Sequence, residues 1–98
     1  MWFHLRNGKL ISIRQDAIVL ARREPEEELL DGKIVEYTPE VSLPKQECIF
    51  QFNAHHPWLE VGKTRFVFQS TEDAQGFRDL LLEKFPGATQ GNTSRIRH

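Results

Sequence analysis

Apolar and polar positions alternate with a period of two along most of the chain, and the period becomes helical only near the end. At residues 64–69, Phe66 and Phe68 alternate with Arg65, Val67 and Gln69, the pattern of a strand with one strongly apolar face. Ser70 and Thr71 then offer side-chain oxygens to unbonded helix donors, with Glu72 and Asp73 in the positive first turn. Ala74, Phe77, Leu81 and Phe85 follow along one stripe, widened by Leu80, until Pro86-Gly87 interrupts it. The spacing predicts a helix over about residues 71–85. Such a stripe needs a sheet to cover it.

The preceding residues supply that sheet. Asn7-Gly8, between apolar stretches at 2–5 and 10–14, predicts a hairpin with a type I′ turn, in which both central residues take positive φ. Ala17-Ile18-Val19-Leu20-Ala21 is an unbroken apolar run, suited to a central strand covered on both faces, with Leu10, Ile11 and Ile13 beside it. Residues 23–32 break the pattern. Their Glu24-Pro25-Glu26-Glu27-Glu28 reads as solvated charge and predicts a long connecting loop. Alternation resumes at 34–38, and Pro39 and Pro44 bracket a segment that cannot be a central strand. Residues 47–53 form the next strand, with Cys48, Phe50 and Phe52 on one face. A turn through Ala54-His55-His56-Pro57 leads to a short strand at 58–61, and Gly62-Lys63 turns the chain into the strand of Phe66 and Phe68. Residues 88–98 have no period and are expected to form a disordered tail or linker. The expectation is therefore a mainly β domain over residues 1–87: about seven antiparallel strands in a sandwich or barrel, capped by one C-terminal helix.

Composition narrows the setting more than the fold. A chain of 98 residues makes one domain that can bury a core without covalent staples. Cys48 is the only cysteine, so no internal disulfide can form, and an intracellular location, cytoplasmic or nuclear, is expected. Residues 1–6 lack the basic start and long apolar run of a signal peptide, and no apolar run reaches membrane-helix length. The net charge of −1 conceals segregation: residues 1–23 carry five basic residues against one acidic, and residues 24–60 carry nine acidic against two basic. Such an arrangement can steer a charged partner.

The element order, the Asn7-Gly8 hairpin and the closing run Phe66-Val67-Phe68-Gln69-Ser70-Thr71-Glu72-Asp73, entering a helix with Phe77, Leu80 and Leu81 inward, together resemble a pleckstrin-homology-type domain. The resemblance covers residues 2–86 and implies seven strands in two nearly orthogonal sheets, with the C-terminal helix capping one end. Phe77 stands where such helices commonly carry tryptophan. Phosphoinositide-binding members carry a lysine and then a basic residue two before an arginine. Here Lys9 and Arg14 are present, but Ser12 holds the middle position, so the resemblance favours protein docking over a lipid headgroup. A start at Met1 and a loose tail suit the N-terminal docking module of a larger protein. A shared fold does not by itself fix function.

No constellation of catalytic or metal-ligating residues stands out, so the domain is expected to be no enzyme and to need no cofactor. His55 and His56 are adjacent and would point to opposite faces of an extended chain, and His4 and Cys48 stand far from them in sequence. Cys48 shares its face with Phe50 and Phe52, the setting of an inert core thiol rather than a nucleophile. The carboxylates of Glu26, Glu27 and Glu28 fall on the expected loop, which gives acid–base chemistry no fixed geometry. The reading that remains is a docking module for another protein, for an acidic peptide or for a second copy of itself. Its candidate contact residues are Trp2, Arg6, Lys9, Arg14, Arg22, Arg23 and Trp58, basic charges and aromatic anchors of the kind that dominate interface energetics. Anionic membrane lipid is the main alternative partner. Nucleic acid is the weaker one, because the total charge of −1 opposes it and no motif supports it.

Overall fold

The structure, a computed structural model, describes residues 1–15, 17–26, 29–36, 41–42 and 49–91. These residues form nine strands and one helix: β1 (Phe3–His4), β2 (Leu10–Arg14), β3 (Ala17–Glu26), β4 (Leu29–Glu36), β5 (Val41–Ser42), β6 (Ile49–Asn53), β7 (Trp58–Val61), β8 (Thr64–Val67), α1 (Thr71–Lys84) and β9 (Thr89–Gln90). The strands make two sheets. In the first, β1-β2-β3-β4 lie in sequence order, and β5 pairs with β3 at Ala17 and Ile18. In the second, the order is β8-β7-β6-β9, antiparallel except where β9 runs parallel to β6. One antiparallel bridge, between Leu5 and Phe68, joins the sheets at a corner, and they form a sandwich rather than a closed barrel.

The expected alternation sets the core. Phe3, Leu5, Ile11, Ile13 and Ile18 from the first sheet meet Phe50, Leu59, Val61, Phe66 and Phe68 from the second, and Ala74, Phe77 and Leu81 of α1 close one end. Phe77 is fully buried between two rings, 6.0 Å from Phe3 edge-on and 5.6 Å from Phe68. The helix can come this close to β1 because Gly76 faces it: a Cβ there would lie 2.5 Å from the Phe3 ring. Ser70 caps α1 in an extended conformation, its Oγ accepting from the Asp73 backbone N–H at 3.1 Å and donating to Asp73 Oδ2 at 2.8 Å. Asp73 Oδ1 also accepts from the His4 backbone N–H at 3.1 Å, which ties the helix start to β1. At 14 residues and with its polar face, α1 is too short and too polar to cross a membrane.

Four expectations change. The described residues of 23–32 do not form a loop: β3 runs through Glu26 and pairs with β4 from Leu29, giving a two-stranded ribbon that extends past the end of β2 at Leu10, which lies opposite Ala21. The ladder skips Pro25 between the Glu24–Lys33 and Glu26–Leu29 pairs, a bulge that accommodates a residue without an N–H. Gly32 completes that bulge at φ +71°, where a Cβ would meet the Glu24 carbonyl oxygen. The charge run looked unstructured because neither face of a ribbon standing clear of the core has to be apolar. Second, the first turn is not type I′. Positive φ occurs at Gly8 (+91°) but not at Asn7. Hydrogen bonds from Gly8 N–H to Leu5 O (3.1 Å) and from Leu5 N–H to Lys9 O (2.9 Å) instead enclose a three-residue loop. Third, order continues past Gly87: Ala88 is buried, and Thr89 and Gln90 pair with Ile49 and Phe50. Fourth, β5 and β9 raise the strand count above seven. Cys48, Tyr37, Thr38 and the bracketing prolines lie outside the described residues.

Candidate docking groove

β1 is the hinge of the arrangement because it serves both sheets. It pairs with β2 through Phe3–Ile11 and His4–Leu10, and with β8 around the Leu5–Phe68 bridge. There the Arg6 N–H donates to Val67 O at 2.9 Å, and the Gln69 N–H donates to His4 O at 3.0 Å. The three-residue turn then carries the chain away from β8. Beyond that point a groove of about 490 Å³ opens between the turn and β8. Leu5, Leu20, Phe66 and Val67 give it apolar surface; Arg6, Asn7 and Lys9 line it on the turn side, and Thr64 and Arg65 on the strand side. None of its described lining residues is acidic. Such a site can hold an extended segment and favour negative charge on it.

The backbone of β8 is part of the site. Residues in an antiparallel ladder turn their N–H and C=O groups alternately toward one neighbour and the other. The Phe68 N–H donates to Pro57 O at 2.8 Å, so positions 64, 66 and 68 face β7 and positions 65 and 67 face the groove. Among the described residues β8 pairs with β7 along its length and with β1 only at the corner. Behind the strand, the Arg65 guanidinium lies 3.9 Å from the Trp58 ring centre and 3.2 Å from Glu60 Oε1. The side chain is thus held on the outer face by a stacked ring and a carboxylate.

The structure distributes the seven expected contact residues over four places. Arg6 and Lys9 meet in the groove. Trp2 and Arg14 lie together elsewhere, with the Arg14 guanidinium 4.8 Å from the Trp2 ring. Nearby, the Ser12 hydroxyl donates to the Met1 carbonyl. Arg22 and Arg23 sit on the ribbon, successive residues of one strand and so on opposite faces, with Arg22 paired to Glu24. Trp58 begins β7 and is half-buried beneath Arg65. Lys9 and Arg14 flank β2 about 17 Å apart at ~3.4 Å per residue, so the two basic positions of the lipid motif do not converge. Of the groove lining, sequence reasoning named Arg6 and Lys9 and missed Leu5, Asn7, Leu20, Thr64, Arg65, Phe66 and Val67. The shortness of the Gly62-Lys63 turn was legible, but only the sheet order makes β8 an edge.

Among the described residues, no group of three or more histidine, cysteine, aspartate or glutamate side chains is placed to hold a metal ion. The backbone N–H groups of His55 and His56 donate to Asn53 Oδ1 at 2.9 and 3.1 Å, so this histidine pair belongs to a tight turn. No family model, curated protein or solved structure matches the chain.

Proposed function

We propose that this is a non-catalytic, pleckstrin-homology-like docking module that binds a segment of another protein in the groove between the first turn and β8. One observation carries the reading: an apolar floor, the basic side chains of Arg6, Lys9 and Arg65, and a strand edge converge on a single groove whose described lining holds no acidic residue. The two-layer architecture with one C-terminal helix supports the pleckstrin-like assignment. The lone Cys48 fits an intracellular setting, where a protein partner would be met. Anionic lipid is the less supported partner, because its two expected cations stand at opposite ends of β2.

The test is site-directed photo-crosslinking. A benzophenone placed at Asn7 in the groove lining is expected to capture a discrete protein partner from cell extract. The same group at Asp79, exposed on α1, is expected to capture none. Charge reversal by R6E together with K9E should abolish the capture while the melting temperature is retained. Equal capture from both positions, or capture indifferent to the charge reversal, would refute the groove as the docking site.

A further inference from the structure

We infer that the groove takes its partner as an added β-strand, an extended segment with one acidic residue between two apolar ones, running antiparallel to β8 in line with β1. The inference rests on the docking reading and specifies its chemistry.

It follows from where β1 stops. The bridge pairs Leu5 with Phe68, and the Arg6 N–H bonds to Val67 O, so a continued β1 would bring position 8 opposite Arg65. Position 8 is instead Gly8, at φ +91° in the turn. The groove is thus the place of a strand that β1 begins and does not finish, and the N–H and C=O of Arg65 point into it. A guest residue opposite Arg65 would both donate to its C=O and accept from its N–H, as residues in a hydrogen-bonded antiparallel pair do.

The guest's side chains follow from the same alternation. Opposed residues share a face, so the guest side chain across from Arg65 falls on the outer face, between Arg65 opposite and Arg6 two positions back along the line of β1. A carboxylate suits that place. The guest residues before and after it turn inward, opposite Phe66 and Thr64, toward the apolar surface of Leu5, Leu20 and Phe66. Three residues therefore define the minimal guest: apolar, acidic, apolar.

The full chain, isotopically labelled, should be titrated with a capped pentapeptide that has aspartate at its centre flanked by valines, while amide resonances are followed. Saturable shifts are expected at Arg65 and Val67, with slowed exchange of the Arg65 amide. A peptide N-methylated at its aspartate, which cannot donate to the Arg65 carbonyl, should bind about tenfold or more weakly, and so should a peptide with lysine at its centre. R6E should weaken the parent peptide by a similar factor. If the N-methylated peptide binds as well as the parent, or the peptide leaves Arg65 unmoved, strand addition is wrong. Docking itself then stands if Asn7 still crosslinks a partner, and falls with it if Asn7 does not. A concentration-dependent dimer in sedimentation, with the Arg65 amide protected without peptide, would overturn the inference by making a second copy of the chain the occupant.

Discussion

Strand β3 belongs to two different environments along its length. From Ala17 to Ala21 it is packed between β2 and its neighbours on the other edge, and Ile18 and Ala21 are fully buried. From Arg22 onward it pairs with β4 alone, in a ribbon whose described side chains are half-buried or exposed. The backbone hydrogen bonding is the same in both halves; what differs is the apolar area removed from water. Burial gives the first half its stability and its legible pattern, at roughly 25 cal/mol per Å². Among the described residues the ribbon has its ladder, a bulge and a surface charge pair, so local opening should be far easier there than in the core.

The sharpest way to break this comparison is to damage the core. Phe77→Ala removes a ring locked between Phe3 and Phe68 and should cost about 3–5 kcal/mol in chemical denaturation, with Leu81→Ala at about 2–5 kcal/mol. On the exposed face of the same helix, Asp79→Ala should stay within about 0.5 kcal/mol. Similar losses at Leu81 and Asp79 would mean that the helix does not seal the sandwich. Ser70→Ala, which removes the cap joining α1 to Asp73, comes next at about 1 kcal/mol.

Gly32→Ala carries the comparison into the ribbon. It forces a Cβ against the Glu24 carbonyl and strains a positive φ, so the bulge must rearrange. Because none of the described side chains from Arg22 to Val35 is buried, global stability should fall by less than about 1 kcal/mol. Hydrogen exchange of the ribbon amides should accelerate while that of Ile11, Phe66 and Phe68 stays unchanged. A global loss matching Leu81→Ala would show the ribbon to be one cooperative unit with the core.

Legibility in the sequence follows the same division. The helix, its Ser70 cap, the β6–β7–β8 meander and the inward Phe50, Phe66 and Phe68 were readable because each has one face in the core and so a period. The β3 half of the ribbon was not, since charge on both faces of a strand erases the period that identifies it, whereas Ile34 and Val35 on β4 kept theirs. Val41–Ser42 and Thr89–Gln90 were missed for another reason: two-residue strands exist through their partners, β3 and β6, and carry no pattern of their own. The site was half legible. Arg6 and Lys9 stood out beside Asn7-Gly8, but pairing them with Thr64 and Arg65 requires knowing that β1 bridges both sheets and ends at the turn.

The smallest effect tests whether charge holds the ribbon at all. Glu24 pairs with Arg22 two residues earlier on the same face and stands directly opposite Lys33 on β4. Both side chains of the Arg22–Glu24 pair are more than a third exposed, at 43% and 37%, so water and salt screen the interaction. Glu24→Gln keeps the shape and removes the charge, and should change stability by no more than about 0.5 kcal/mol, an effect that fades in high salt. The ribbon's exchange rates should barely move, in contrast to Gly32→Ala, because its integrity rests on the backbone bulge. If Glu24→Gln instead opened the ribbon as widely as Gly32→Ala, and salt did the same to the native chain, electrostatics and not backbone geometry would be what keeps β3 and β4 together beyond Ala21.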